Sequence, residues 1–212
     1  MTVSLNNLNS PTDIILTANS IFIEGSFNTP KSYRDSHQEH HNATSFAALK
    51  EDGSVVTWGS YGYGGNSSEV ANQLSSDVTQ IFSTEKTFAA LKNDGSVVNW
   101  GSWYWDSDMV VSNDSVAEQL SSGVTNIFST SKAFAALKDD GSVVTWGKYS
   151  HGGDSSSVAD KLSSSVTNIF STSDAFASLK DDGSVLTWGK SSHGGDSSSV
   201  ADELSSGVSQ IY

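Results

Sequence analysis

The stretch Phe134-Ala135-Ala136-Leu137-Lys138-Asp139-Asp140-Gly141-Ser142-Val143-Val144-Thr145-Trp146-Gly147 is written four times in this chain with small changes, the other copies starting at Phe46, Phe88 and Phe176. Trp58, Trp100, Trp146 and Trp188 close the copies, at spacings of 42, 46 and 42 residues. A fixed period in this range marks a repeat architecture, in which each unit buries its apolar surface against its neighbours. That constraint outranks the usual relation between length and domain number for a chain of 212 residues. Each copy is an apolar run, a turn ending in Asp-Gly-Ser, and a second apolar run ending in Trp-Gly. Asp-Gly between such runs predicts a β-hairpin with a tight primed turn, because glycine takes the positive φ of that turn without steric cost.

Between hairpins lies a connector, seen most cleanly from Gly152-Gly153-Asp154 through Val158-Ala159-Asp160-Lys161-Leu162 to Val166-Thr167-Asn168-Ile169-Phe170. Gly-Gly followed by Asp and Ser predicts a sharp turn. Val158 and Leu162, four apart, suit about one helical turn, and the Val-Thr-x-Ile run predicts a strand. One repeat is therefore read as strand, short helical turn, then hairpin. Alternation in Phe-Ala-Ala-Leu and Val-Val-Thr-Trp is imperfect, as expected for sheets covered on both faces. The small alanines let neighbouring sheets approach, and Phe and Trp fill the space between them. The fold class expected is all-β, small sheets stacked about a shared axis.

Residues 1–42 stand outside the repeat, and residues 43–212 form the four-repeat domain. Ile14-Ile15-Leu16 and Ile21-Phe22-Ile23 read as two short strands. The run Pro11-Thr12-Asp13-Ile14 with Ser20-Ile21 resembles the opening of cadherin-like modules of bacterial surface proteins. Lys31 to Asn42 is polar and holds His37, His40 and His41, three of the five histidines. This segment reads either as a solvated linker or as a metal-binding cluster, since His37 and His41 would share one face of a helix.

The formal charge of −13 repels phosphate backbones and anionic lipid, which argues against nucleic-acid binding and membrane association. Cysteine is absent, so disulfides, thiolate zinc sites and cysteine nucleophiles are excluded. The first residues lack a basic start followed by an apolar run, and no apolar stretch approaches bilayer length, so neither a secretory signal nor a spanning segment is expected. The compartment stays open between the cytoplasm and a non-classical extracellular route.

Val166-Thr167-Asn168-Ile169-Phe170 followed by Ala175-Phe176-Ala177-Ser178-Leu179-Lys180-Asp181-Asp182-Gly183-Ser184-Val185-Leu186-Thr187-Trp188-Gly189 resembles the repeat of the regulator-of-chromosome-condensation superfamily. Bacterial members are the nearer likeness, including the repeats of the type II β-lactamase inhibitor protein. Their Ala-Leu-Lys, Asp-Gly turn and Trp-Gly recur at nearly this period. The resemblance covers about four-fifths of the chain and implies a β-propeller. The chain departs from the family in two ways. Gly-Gln after Trp-Gly is replaced by Gly64-Gly65-Asn66, Gly152-Gly153-Asp154 and Gly194-Gly195-Asp196, and four repeats stand where the family has seven. Four repeats imply a small closed ring, or an arc completed by dimerisation. Val208-Ser209-Gln210-Ile211-Tyr212 repeats the strand motif with no hairpin after it, and the hairpin at Phe46 has no such strand before it. Pairing of the two is expected, within one chain or between two copies.

The second connector is longer and holds Trp103-Tyr104-Trp105, while the same repeat position elsewhere holds Tyr61 and Tyr63, Tyr149 and His151, and His193. Aromatic and imidazole groups on loops at one end of an acidic repeat body suit a protein or carbohydrate partner. Two other readings remain open for them: simple variation at tolerant loop tips, or aromatics folded over an unpaired edge. The Asp139-Asp140 and Asp181-Asp182 pairs lack the spacing of calcium loops and read as hairpin residues. No Gly-x-Ser-x-Gly or phosphate-cradling loop is present, so no catalytic residue, cofactor or metal ligand is assigned. The function expected is non-enzymatic protein binding or scaffolding, with a metal-dependent calcium or zinc adhesion module as the alternative.

Overall fold

The computed structural model describes residues 42–101, 110–111 and 113–212. Three of the four hairpins carry a further strand from the preceding connector. β1 (Ser45–Leu49) pairs with β2 (Val55–Gly59); β3 (Val78–Ser83), β4 (Thr87–Lys92) and β5 (Val97–Gly101) form the second sheet. The third holds β6 (Val110–Val111), β7 (Val124–Ser129), β8 (Ala133–Lys138) and β9 (Val143–Lys148), in the order β6-β9-β8-β7. The fourth holds β10 (Val166–Ser171), β11 (Ala175–Lys180) and β12 (Val185–Gly189). All pairs are antiparallel. The longer second connector thus adds a short strand, β6, to the free edge of β9, and a single helical turn, α1 (Asn113–Val116), follows it. The result is a propeller-like array of four blades.

Both faces of the second and third hairpins are covered because each of these blades lies between two others. Phe and Trp face each other across every hairpin, Phe134 opposite Trp146 for example, and stack with ring centroids 5.2–5.4 Å apart. Such pairs contribute about 0.5–1.5 kcal/mol beyond their area burial. Three core clusters coincide with the three junctions between successive blades. At the first, Ala47 and Val55 of the first blade meet Phe88, Ala90, Val98 and Trp100 of the second, with connector residues Val70 and Leu74 between them. Leu120 and Leu162 repeat the part of Leu74 at the next two junctions.

Backbone bonds reinforce each junction. Val78, Val124 and Val166 donate across it to the carbonyls of Gly53, Gly95 and Gly141 at 3.0–3.1 Å, while Asn93, Asp139 and Asp181 extend the ladder within their own sheets by donating to Asp77, Gly123 and Ser165 at 2.8–3.0 Å. At the opposite end of the blades Ala43 donates to Glu85, Glu85 to Ser131, and Ser131 to Ser173, at 2.9–3.0 Å.

The hairpin turns differ from the primed type expected from Asp-Gly. In the first, Lys50 N–H bonds the Ser54 carbonyl and Gly53 N–H bonds the Lys50 carbonyl. Gly53 alone has positive φ, +76°, and neither Glu51 nor Asp52 does. This is the three-residue loop with glycine in the left-handed position. The preceding aspartate selects it: Asp52 accepts Ser54 N–H at 3.0 Å and Ser54 Oγ at 2.6 Å, a bridge repeated by Asp94 and Asp140.

Val208–Tyr212 does not pair with the first hairpin inside one chain. Val208 N–H bonds the Gly183 carbonyl at 2.9 Å, as its counterparts do, yet no strand among the described residues lies alongside and Tyr212 is fully exposed. Of the two closures expected, the ring of four blades within one chain is not made among the described residues. The two N-terminal strand runs and the His37, His40 and His41 cluster lie outside the described residues.

Candidate functional site

After the second strand of a hairpin, the chain makes a 3-10 turn: Tyr61–Tyr63, Tyr149–His151 and Ser191–His193. Each ends on a glycine in the left-handed region, Gly64, Gly152 or Gly194, with φ of 90–95°. A second glycine then turns back, Gly65, Gly153 and Gly195 donating to the carbonyls of Ser60, Lys148 and Lys190 at 2.9–3.1 Å. A Cβ on Gly153 would collide with the Gly147 carbonyl oxygen, which is why the second glycine is written here.

The last residue of each turn is pinned by a side chain from the loop before the hairpin. Thr130 Oγ donates to the His151 carbonyl and Thr172 Oγ to that of His193, both at 2.9 Å, while Asn42 Nδ2 donates to Tyr63 at 2.8 Å. Thr130 and Thr172 also accept the N–H of Ala133 and Ala175, and Asn42 Oδ1 accepts that of Ser45. The three turns are one construction presenting different side chains. Tyr61 is exposed at 76%. Tyr63 lies beneath Lys86 Nζ, 5.6 Å from the ring centroid. Tyr149 and His151 are half-buried and His193 is exposed. Trp103, Tyr104 and Trp105 lie outside the described residues.

His151 and His193 converge on Asp174, a residue that the sequence reading did not single out. His151 Nε2 lies 3.0 Å from Oδ1, His193 Nε2 3.3 Å from Oδ2, and Lys190 Nζ 3.4 Å from Oδ2. Ser131 Oγ, from the third blade, donates to Oδ1 at 3.2 Å. Asp174 is 9% exposed. Its burial acts to raise its pKa, but His151 and Lys190 more than offset this and the carboxyl is held below its ordinary value. For His151 burial lowers the pKa, and the Asp174 charge opposes without reversing it. Nδ1 of each ring lies 2.9 Å from the hydroxyl of the residue before it, Ser150 or Ser192, and accepts from that hydroxyl in the tautomer with Nε2–H facing the carboxylate. Asp174 shares its repeat position with Thr44, Lys86 and Lys132, so a change of charge sign in that column is the sequence signal that marks it.

The acidic turns do other work: Asp140 spends Oδ1 on Ser142, and Asp139 donates its backbone N–H to Gly123. Among the described residues no group of three or more His, Cys, Asp or Glu is placed to hold a metal ion, and no helix is long and apolar enough to cross a membrane. An open groove of about 540 Å³, lined in part by Gln119, Lys138, Asp154 and Leu162, contains none of the turn-tip residues.

No protein-family model matches the chain, and no curated protein matches it. Solved structures similar to it include Prp20p from Saccharomyces cerevisiae, reported with its binding properties to Gsp1p and histones. That likeness is 18% identity over 71% of this chain and 43% of the other, with a TM-score of 0.48. Another is the CRINKLY WD40 ectodomain of the Arabidopsis thaliana receptor kinase ACR4, 13% identical over 69% and 52%, TM-score 0.42. The computationally designed Ika4 protein is 16% identical over 74% of this chain and 94% of its own, TM-score 0.36. The chain spans about half or less of the length of the first two.

Proposed function

We propose that this chain is a non-enzymatic repeat module that binds a protein partner through the end of the blades carrying the three 3-10 turns. Tyr61, Tyr63, Tyr149, His151 and His193 are the contact residues, joined by Trp103, Tyr104 and Trp105 of the longer connector. The observation that carries this reading is the shared construction of the turns. Their backbones are fixed by the same bonds, while their tips differ in size, charge and aromaticity. A fixed scaffold under varied tips is how loops supply recognition. Carbohydrate is the other partner class that aromatic tips suit, and a homodimer is part of the same proposal.

The test compares wild type with a variant carrying Tyr61→Ala, Tyr63→Ala, Tyr149→Ala, His151→Ala and His193→Ala, in affinity capture and on a glycan array. Ligands that the wild type retains and the variant loses, at unchanged circular dichroism, support the reading; retention by both contradicts it. Calorimetric titration with calcium and zinc addresses the metal-dependent alternative, which binding in the micromolar range with a raised melting temperature would favour. A Ser150–His151–Asp174 relay is present in outline, so ester hydrolysis is measured too. Turnover abolished by His151→Ala and His193→Ala would overturn the non-enzymatic reading.

A further inference from the structure

Every junction between blades is built from the same parts, and the two ends of the array each hold half of one. Phe46, Val56 and Trp58 of the first blade are 63%, 51% and 50% exposed. Their counterparts Phe134, Val144 and Trp146 are 0%, 6% and 0% exposed. In the second and fourth blades the Phe–Trp stack is covered by the glycine turn of the preceding connector. A Cβ on Gly64 would lie 2.6 Å from the Phe88 ring and one on Gly152 2.5 Å from the Phe176 ring. The Trp100 and Trp188 indoles donate to the carbonyls of those glycines at 3.1 Å. Nothing covers Phe46 and Trp58 in this way among the described residues, where the Trp58 indole N–H has no acceptor.

The other half lies at the far end. Gly194 has the same conformation as Gly64 and Gly152, yet nothing lies within 4 Å of the Cβ it would carry, and the same holds for Gly207. Leu74, Leu120 and Leu162 are 1–2% exposed, whereas their counterpart Leu204 is half-buried and Val200 is 43% exposed. Val208–Tyr212 carries the strand motif with no strand beside it.

We propose that two copies of this chain join end to end, the last connector and Val208–Tyr212 of one covering the first hairpin of the other, so that two four-blade arrays close one eight-blade propeller. This rests on the homodimer part of the reading above and not on the turn tips. The existing junctions fix the geometry. Val78, Gln80, Ile81 and Phe82 lie opposite Lys92, Leu91, Ala90 and Ala89. In the same register Val208, Gln210, Ile211 and Tyr212 lie opposite Lys50, Leu49, Ala48 and Ala47 of the other copy. Trp58 donates to the Gly194 carbonyl, and Glu51 N–H to that of Gly207. The contact is heterologous, so it must close into a ring or grow without limit. Propellers hold about four to eight blades, and of the multiples of four only eight remains once four is not closed by one chain.

Sedimentation equilibrium of the full chain at about 1–100 μM covers the affinity range of such an interface. A discrete species of twice the 22.4 kDa chain mass is expected. Val200→Asp is the first variant. Val200 is 43% exposed in one copy, whereas its counterpart Val70 packs into the first junction, so the charge is solvated in the monomer but buried against apolar groups in the dimer, and the dimer dissociation constant should rise at least about a hundredfold. Trp58→Ala, which removes side-chain surface exposed in one copy, should weaken the dimer as well; Tyr149→Ala, at the turn after the third blade and away from this junction, should not. A monomer throughout the range, a mass that climbs steadily with concentration, or a dimer indifferent to both Val200→Asp and Trp58→Ala would overturn the proposal.

Discussion

At the scale of single residues, the departures from the repeat are the informative positions. Thr57, Thr145 and Thr187 bond the following connector, whereas the second copy has Asn99, whose Oδ1 accepts the Trp146 indole N–H at 3.0 Å. The second connector lacks the Gly-Gly turn whose carbonyl serves Trp100 and Trp188, and Asn99 supplies the missing acceptor from the strand. Asn99→Ala should therefore cost about 1–3 kcal/mol in denaturant unfolding, the penalty of a buried donor left without a partner. Ser178 is the opposite case. It stands where the other copies have Ala48, Ala90 and Ala136, is 0% exposed, and its hydroxyl has no partner. Ser178→Ala should raise stability by about 1 kcal/mol, and a loss would contradict the assignment. At the Asp174 cluster, Asp174→Asn removes the charge that pulls the His151 pKa back up, so NMR titration should find His151 protonating at lower pH in the variant than in the wild type.

Elements repeat this logic in the hairpin turns. The Asp52, Asp94, Asp140 and Asp182 carboxyls are held below the ordinary value of 3.8, chiefly by a side-chain bond from the serine two residues on and then by its backbone N–H. A folded-state pKa below the unfolded one contributes stability that is complete above the unfolded value and is lost as pH falls through the folded one. Melting temperature should thus hold near pH 5 and fall below about pH 4. Replacing the four aspartates by asparagine, which keeps an acceptor and removes the titration, should flatten that decline. The hairpins themselves were legible in the sequence because Asp-Gly between apolar runs permits little else. Their turn type was not, since the serine that selects the three-residue loop lies after the glycine and acts through the aspartate side chain. That Tyr61 and Tyr63, Tyr149 and His151, and His193 stand on equivalent turns was legible from the repeat register. The convergence of His151 and His193 on Asp174 was not, because neighbouring blades create it.

For the whole molecule, an apolar period without alternation predicted sheets covered on both faces, and the three junction clusters are that covering. Composition said nothing of the ends; exposure of Phe46 and Trp58 against burial of every counterpart shows where covering stops. Each copy carries −13, so two copies repel, and apolar contact must overcome that repulsion. Association should tighten when salt is raised from about 0.05 to about 0.5 M, where screening shortens the range of the repulsion; weakening would point to an interface held by ion pairs. The register across the junction offers the most direct measurement. Natural cysteine is absent, so Ala48→Cys with Ile211→Cys places one engineered pair at directly opposed positions, as Ala90 and Ile81 are within the second blade. Mild oxidation should yield a reducible covalent dimer in high yield, and neither single variant should yield one. A disulfide closed within one chain, or no cross-link in a folded double variant, would contradict the account.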